Sequence, residues 1–391
     1  MARNRRRNRR RNFGSRLAAF VVQMRSAPPV FLALLFLAAP LLAQTGSIAR
    51  AKRVQLEAAI TRFMAANSTP GVSVAVVENG VAEWSAGFGS ADLENRVRAT
   101  SQTLYRLGSI SKPITATAAL LLWQQGMLDL DAPLQKFCPQ FPEKEAPITT
   151  RELLGHLGGI RHYKSASQDD PEIGNTRHFM NPIQAGIDFF KNDPLVSKPG
   201  AEFHYSTQGY TLVGCAIEGA SGENYADYVR DHVLVPAGMA HTVVDDRFAI
   251  IPFRARLYSK DSSGAITNAD FLDSSYKIPG GGWLSSADDV AQFEVAVLND
   301  RLVTRSTRDV MWTPLKTADG KEDDYGLGWR IGKALGSLDV QHAGSQQGTS
   351  TFFMIVPERR AGVVVLINVD NVRAEDLADE LMKIVLASAA K

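Results

Sequence analysis

The sequence predicts an α+β fold, because strand patterns lie at its two ends and helical patterns fill its middle. Near the start, GVSVAVVE and VAEWSAGFG flank Asn79-Gly80 and predict a β-hairpin with a two-residue turn. Near the end, STFFMIVPE and AGVVVLINV predict two strands joined by a short polar turn. The stretch from Ser109 to about Ser221 is rich in helical patterns. We therefore expect a helical insertion in an α+β body, rather than alternating βαβ units.

A helix is predicted at each end of this body. The segment AKRVQLEAAITRFMAAN places Val54, Ala58, Phe63 and Met64 roughly on one helical face. The closing segment AEDLADELMKIVLA places its large apolar residues on one stripe. Both patterns are typical of amphipathic helices.

The charge of the chain is unevenly distributed. The 391 residues carry a formal charge of +2, yet residues 1–43 contain nine Arg and no acidic residue. The remainder carries 34 basic and 41 acidic residues and is mildly acidic. It has no basic surface pattern that would indicate nucleic acid, so we expect no nucleic-acid partner.

Residues 1–44 are predicted to be an N-terminal signal peptide or membrane anchor. The apolar run Val30–Ala43 follows an Arg-rich arm and precedes polar residues, which fits the h-region of a secretory signal. Retention as an anchor is the alternative, because the uncharged stretch Ser26–Ala49 is long enough to span a bilayer if tilted. Met24 begins a compact version of the same signal and is an alternative to Met1 as the translation start. We expect an exported protein, periplasmic or extracellular, with membrane attachment if the segment is retained.

Cysteine and histidine usage predicts no metal site and no cofactor. Two cysteines, Cys138 and Cys215, are too few for a disulfide framework or a multi-cysteine metal site. Cys215 lies in the apolar run TLVGCAI, which predicts a small buried hydrophobic residue. His156 and His162 flank LGGIR without a carboxylate at ligand spacing, and we expect them to be structural or loop residues.

The most informative segment is LGSISKPITATAALLLWQQG. A nearly continuous apolar run between Gly108 and Gly126 predicts a buried helix with Ser109 at its N-terminus. Lys112 follows one turn later on the same face, where a desolvated, neutral amine could accept the proton of the serine hydroxyl. Such a pair meets the requirement for an activated serine nucleophile. An N-capping serine beside a solvated lysine is the alternative interpretation.

A second Ser-x-x-Lys pair occurs at Ser274 and Lys277. This pair runs directly into the sequence PGGG, so no helix is expected to present it. We expect it to lie in a loop.

Two further segments carry candidate site residues. Tyr205 lies in a short extended or turn segment before a helix that begins at about Gly209, and its phenol could point into a cleft. The residues His342-Ala343-Gly344-Ser345 lie on or beside a predicted strand, where small side chains let a ligand approach the backbone.

In chain order, these segments resemble the three motifs of the penicillin-recognising serine hydrolases, Ser-x-x-Lys, Tyr-x-Asn and Lys/His-x-Gly. The matching residues are Ser109-Ile110-Ser111-Lys112, Tyr205-Ser206-Thr207 and His342-Ala343-Gly344. The second motif, with its tyrosine, resembles that of the class C β-lactamase branch, which includes DD-peptidases, D-aminopeptidases and esterases. The likeness covers roughly residues 50–390. TTRELLGHLGGIRHY and PGGGWLSSADDVAQF most resemble the mitochondrial β-lactamase-like members and their bacterial relatives.

The resemblance implies a β-lactamase/transpeptidase-like fold, with an antiparallel sheet flanked by helices and a largely helical inserted subdomain. It places the catalytic domain at residues 48–390. The α/β part would then be residues 48–108 and 279–390, and the helical part residues 109–278.

The resemblance also implies catalytic roles. Ser109 would form an acyl-enzyme, with Lys112 and Tyr205 sharing the proton transfers. The backbone N–H groups of Ser109 and Ser345 would form the oxyanion hole beside Gly344. His342 would line the site opposite Tyr205.

Two departures from the family motifs narrow the expected substrate. Thr207 stands where the β-lactam enzymes carry Asn, and a hydroxyl is a poorer match for the substrate amide. His342 stands where many carry Lys to hold a carboxylate, and we expect it to be only partly charged near neutral pH. We therefore expect a peptidase or esterase acting on a small-molecule, peptide or ester substrate. A β-lactamase or DD-peptidase proper is one alternative, and a catalytically silent interaction or assembly module is the other. The sequence indicates no oligomeric state.

Overall fold

The computed structural model describes residues 48–165, 170, 172–334 and 336–387. The predicted export segment, residues 1–44, lies outside the described residues. Within these described ranges, no helix combines the length and the apolar character that a membrane span requires.

The strands predicted at the two ends of the sequence pair with each other in one sheet. The strands of the described residues are β1 (Gly71–Glu78), β2 (Val81–Asp92), β3 (Val97–Arg98), β4 (Tyr105–Arg106), β5 (Val243–Val244), β6 (Tyr258–Lys260), β7 (Ile266–Asn268), β8 (Trp283–Ser285), β9 (Arg330–Ala334), β10 (Ser337–Gln346), β11 (Thr349–Val356) and β12 (Ala361–Ile367). The main sheet is antiparallel, in the order β3-β2-β1-β12-β11-β10-β9. Two small sheets have the orders β4-β8-β5 and β6-β7. The predicted antiparallel sheet is therefore confirmed.

Helices flank this sheet and fill the middle of the chain. The α-helices of the described residues are α1 (Arg50–Ala66), α2 (Ser111–Gln124), α3 (Thr150–Leu154), α4 (Pro182–Asp188), α5 (Thr207–Ser221), α6 (Tyr225–Val229), α7 (Val235–Ala237), α8 (Ile278–Gly281), α9 (Ala287–Leu298), α10 (Arg305–Met311) and α11 (Ala374–Leu386). Short 3-10 turns occur at Gly108–Ile110, Leu134–Lys136, Ser275–Lys277 and Pro357–Arg359, and a π-helical turn at Arg230–Leu234. Since α2 to α7 all lie between β4 and β5, the α+β prediction with a helical insertion is confirmed.

Both faces of the main sheet are covered. Val74 and Val76 of β1 join the apolar cluster that includes α1 and α11, whereas Ala75 and Val77 join the cluster that includes α9. A strand buried on both faces needs no polar alternation, which explains why GVSVAVVE is apolar at nearly every position.

The first helix buries only part of the face that the sequence pattern predicts. Phe63 and Met64 pack, partly buried, against the cluster that includes the sheet and α11, whereas Val54 is 57% exposed and Ala58 is also exposed. In the N-terminal half of α1, Leu56 and Ile60 are buried instead, because this side of the helix packs against the sheet and α11.

The two cysteines form a disulfide bond between Cys138 and Cys215, across 77 residues of sequence. The prediction that Cys215 is merely a small buried hydrophobic residue is therefore wrong, although both cysteines are buried. The bond joins the loop that follows the 3-10 turn Leu134–Lys136 to the middle of α5. It ties α5, whose N-terminus reaches the site described below, to the rest of the helical part.

Replacing both cysteines with alanine is expected to lower the free energy of unfolding by about 2–5 kcal/mol, because the bond restricts the unfolded chain. Urea titration of the wild-type and doubly substituted proteins, each with and without dithiothreitol, measures this change. The reductant should destabilise only the wild-type protein. Two titratable thiols in the denatured, unreduced wild-type protein would contradict the assignment.

Candidate active site

The proposed nucleophile and its lysine partner lie at the start of α2. Ser109 is in the 3-10 turn Gly108–Ile110 that precedes α2, rather than in the first turn of the α-helix as the apolar pattern predicts. The Lys112 Nζ lies 3.0 Å from the Ser109 Oγ. Residues three positions apart on this continuous helical path share a face, which explains how the pair meets.

Lys112 is fully buried and is held by neutral groups. The Lys112 Nζ also lies 3.3 Å from the Thr207 Oγ1 and donates to the Gly280 carbonyl oxygen at 2.8 Å. No carboxylate of the described residues lies within ion-pair distance of it. Burial, and then the nearby charge of Lys277, hold the Lys112 pKa well below its usual range. The neutral amine is therefore accessible at ordinary pH.

Tyr205 completes the group around Ser109. The Lys112 Nζ lies 4.8 Å from the centre of the Tyr205 ring, and the Ser109 side chain is close enough to affect the Tyr205 pKa. Burial raises the Tyr205 pKa to about 12, although the nearby Ser109 side chain opposes this shift. The phenol therefore keeps its proton near neutral pH, while the lysine loses its proton more readily than a solvated lysine would.

The loop before α5 positions Tyr205. Ser206 caps α5, with its hydroxyl accepting the Gly209 N–H at 2.9 Å and donating to the Arg161 carbonyl oxygen at 2.7 Å. Behind this loop, the Tyr205 ring packs 4.3 Å from the His156 ring, measured between centroids. These contacts fix the phenol beside Ser109.

Strand β10 brings Ser345 close to the serine segment. β9 pairs with β10 only as far as Gln341, and the 3-10 turn Gly108–Ile110 packs against the remainder of β10. Gly108 has a φ of +52°, and a Cβ there would lie 2.9 Å from the Ser345 amide nitrogen. A Cβ on Gly344 would lie 2.0 Å from the Leu107 carbonyl oxygen. Both glycines are therefore required for the close approach of the two backbones.

His342 differs from its predicted role. It is buried, with the Nε2 2.9 Å from the Tyr325 hydroxyl and the Nδ1 2.7 Å from the Ala343 carbonyl oxygen. Because a carbonyl can only accept, the Nδ1 carries the proton and the Nε2 accepts from Tyr325. Burial lowers the His342 pKa to about 3, so the prediction of partial charge near neutral pH is wrong. Its ring lies 6.3 Å from that of Tyr205, behind the site rather than on the cavity wall.

An open cavity of about 240 Å³ contains Ser109, Thr207 and Ser345 in its wall. His162 also lines this cavity, and its Nδ1 accepts the Thr207 N–H at 3.2 Å. Burial lowers the His162 pKa to about 4, so the ring is neutral. Within the described ranges, no group of three or more His, Cys, Asp or Glu side chains is arranged to hold a metal ion.

Sequence reasoning missed several residues of this site. Lys277 lies in a 3-10 turn that leads into α8, and it lines the same cavity as Ser109, so the expectation of a plain loop is wrong. The guanidinium carbon of Arg330 lies 6.0 Å from the centre of the Tyr205 ring. Tyr325 packs beside His156 with ring centroids 4.7 Å apart. No periodic pattern marks these residues, since distant segments bring them to the site.

Comparison with known proteins places this fold and site in a family. The β-lactamase family model matches residues 56–387. Human mitochondrial serine β-lactamase-like protein LACTB is 32% identical over 379 residues, covering 74% of this chain and 69% of that protein.

Solved structures agree with the family match. An octameric penicillin-binding protein homologue from Pyrococcus abyssi superposes with a TM-score of 0.75 at 28% identity, covering 85% of this chain and 77% of that chain. The D-amino acid amidase of Ochrobactrum anthropi SV3 has a TM-score of 0.74 at 22% identity over 86% of this chain and 98% of its own, which shows a common fold. The chain belongs to the β-lactamase family of serine hydrolases.

Proposed function

We propose that this protein is an exported hydrolase that cleaves a peptide, amide or ester bond through an acyl-enzyme on Ser109. The observation that carries the proposal is the 3.0 Å contact between the Lys112 Nζ and the Ser109 Oγ, made by a buried lysine without a carboxylate partner among the described residues. A lysine in such surroundings can act as a general base at ordinary pH.

The reaction follows from the protonation states of the two partners. Neutral Lys112 accepts the Ser109 proton as the Oγ attacks the carbonyl carbon, and the amides of Ser109 and Ser345 stabilise the oxyanion. Tyr205, which keeps its proton, lies where it can pass a proton to the leaving group as the bond breaks. A water molecule then attacks the acyl-enzyme and gives a proton to the Tyr205 phenolate, while Lys112 returns its proton to the Ser109 oxygen. The acid is released, and Ser109, Lys112 and Tyr205 regain their starting forms.

The substrate-facing groups favour a peptidase or esterase over a β-lactamase. The Thr207 hydroxyl contacts Lys112, and a threonine has no amide with which to bind an acyl side chain. His342 is neutral and lies behind the cavity, so it provides no charge for a substrate carboxylate. The acyl-transfer steps themselves involve Ser109, Lys112 and Tyr205, and they need neither the amide nor the charge that these two positions lack.

Two features support export. The predicted signal precedes the catalytic domain, and disulfides such as Cys138–Cys215 persist mainly in oxidising compartments. We propose a periplasmic or extracellular location, with attachment to the membrane if the N-terminal segment is retained.

A substrate panel tests the proposed reaction. It compares a short acyl ester, an L-peptide anilide, a D-Ala-D-Ala peptide and a chromogenic cephalosporin, each with wild-type protein and with a Ser109→Ala preparation as the control. We expect the ester or the anilide to have the highest kcat/KM in the wild-type protein. A highest value for the cephalosporin would support the β-lactamase alternative. Equal rates in the wild-type and Ser109→Ala proteins for every substrate would support the catalytically silent alternative.

A further inference from the structure

Lys277 is a buried cation on the wall of the cavity that contains Ser109. It ends the 3-10 turn Ser275–Lys277, and only 6% of its surface is exposed. The next turn of chain, at Gly280 and Gly281, lines the same cavity. Lys277 and the proposed nucleophile therefore line the same cavity.

The Lys277 ammonium has no hydrogen-bond or ion-pair partner among the described residues. The rings of Tyr163 and Tyr276 lie beside it, with centroids 5.6 and 5.4 Å from the Nζ. Asp245 is the acidic group that acts on it, but the Asp245 Oδ2 already accepts the Arg106 Nε–H at 2.7 Å. A buried lysine without an anion partner is energetically costly, which indicates that a ligand supplies the partner.

The carboxylate in the same cavity wall does not supply that partner. The Asp370 Oδ2 accepts the Ser259 hydroxyl at 2.6 Å and the Gly348 N–H at 2.9 Å. Its Oδ1 accepts from the Asn371 side chain at 3.0 Å. Asp370 therefore belongs to the loop structure at the end of β12, and Lys277 remains available to an incoming anion.

We propose that Lys277 binds a carboxylate of the substrate, so that the hydrolase prefers amides and esters that carry a negative charge near the bond to be cleaved. This inference rests on the hydrolase function proposed above. A carboxylate inside the cavity would form a charge-assisted hydrogen bond with the ammonium group and would stabilise its charged form. Burial and the Arg106 charge lower the Lys277 pKa to about 7, so near neutral pH the lysine has both its charged and its neutral form available.

Lys277 also affects the pKa of Lys112, and this effect is an alternative explanation for its position in the cavity wall. Its charge contributes to the lowered pKa of Lys112. If this were the whole role of Lys277, removing it would slow every substrate alike, whatever the charge of the substrate. The test must therefore measure a preference between substrates rather than a rate.

The experiment uses two matched pairs of substrates. In the first pair, one amino acid p-nitroanilide carries either an N-succinyl or an N-acetyl group, which places the carboxylate on the acyl side. In the second pair, one N-acyl amino acid thioester carries either thioglycolate or thioglycolamide, which places it on the leaving-group side. The readout is the ratio of kcat/KM for the anionic and the neutral member of each pair. A decrease in kcat/KM that affects both members equally cancels in this ratio.

The wild-type protein is expected to prefer the anionic member of at least one pair by about tenfold or more, as for other hydrogen bonds to a charged group. Lys277→Gln should reduce this ratio to within about twofold of one, whereas Lys277→Arg should retain a preference because the charge remains. Lys321→Gln, which removes an exposed lysine outside the cavity, should retain the full ratio.

The outcomes separate the two proposals. Turnover of the neutral members without an anionic preference in the wild-type protein would overturn the role of Lys277 and leave the hydrolase function in place. A wild-type preference that survives in folded Lys277→Gln protein, checked by circular dichroism, would also overturn it. A wild-type protein that neither turns over any member nor forms an acyl-enzyme would overturn the proposed function itself.

Discussion

The Ser109→Ala protein is expected to lose covalent labelling by a fluorophosphonate probe and to lose at least about 1,000-fold in kcat/KM on any substrate that the wild-type protein hydrolyses. The Lys112 Nζ lies 3.0 Å from the Ser109 Oγ, and Tyr205 lies beside this pair, so both proton-handling residues surround the serine. No other group can replace it, because the step forms a bond to that oxygen. Intact-protein mass spectrometry measures the labelling.

Ser274→Ala is the matched control for this prediction. Ser274 begins the other Ser-x-x-Lys pair and is buried. Its hydroxyl accepts a hydrogen bond from the side-chain Nε2 of Gln346 at 2.7 Å, and the residue does not line the cavity. Labelling should therefore persist in this protein. Equal labelling of the two alanine variants would show that Ser109 is not the nucleophile.

Local patterns in the sequence were sufficient for the strands β1, β2, β11 and β12 and for the helical segment that carries Ser109 and Lys112. A two-residue Asn79-Gly80 turn between apolar runs specifies a hairpin, and the structure contains that turn with φ of 55° and 76°. Ser109 and Lys112 meet because of helical spacing, which is also local. That Tyr205 would reach them was implied only by the family resemblance, since no local rule connects residues so far apart in sequence.

Long-range packing determined the features that the sequence did not reveal. Cys138 and Cys215 pair only because α5 folds against the loop that contains Cys138. His342 has an ordinary sequence context, yet its pKa falls to about 3 because the surrounding fold excludes water from it. Lys277 precedes a run of Pro and Gly that predicts a loop, and the cavity wall formed around it makes it a buried cation.

Lys112→Met is expected to lower kcat/KM by about 100- to 10,000-fold, the usual contribution of a general base. Methionine has a similar length and needs no hydrogen-bond partner, so it removes the amine with little change in packing. The loss should also appear in the rate at which the fluorophosphonate probe phosphonylates Ser109 with release of fluoride, measured by stopped-flow mixing. Urea titration checks that the variant is folded.

Lys112→Arg separates a base from a fixed positive charge at this position. Arginine keeps its proton at every accessible pH, so it cannot accept one from Ser109. The kcat/KM of Lys112→Arg should therefore fall as far as that of Lys112→Met. In the wild-type protein the acylation rate should fall as the pH is lowered through the Lys112 pKa, because protonation removes the base. Burial and the charge of Lys277 lower that pKa, which moves this limb of the profile toward neutral pH. Substantial activity in Lys112→Arg, or an unchanged acidic limb in Lys112→Met, would mean that Lys112 acts by its charge and that another group accepts the Ser109 proton.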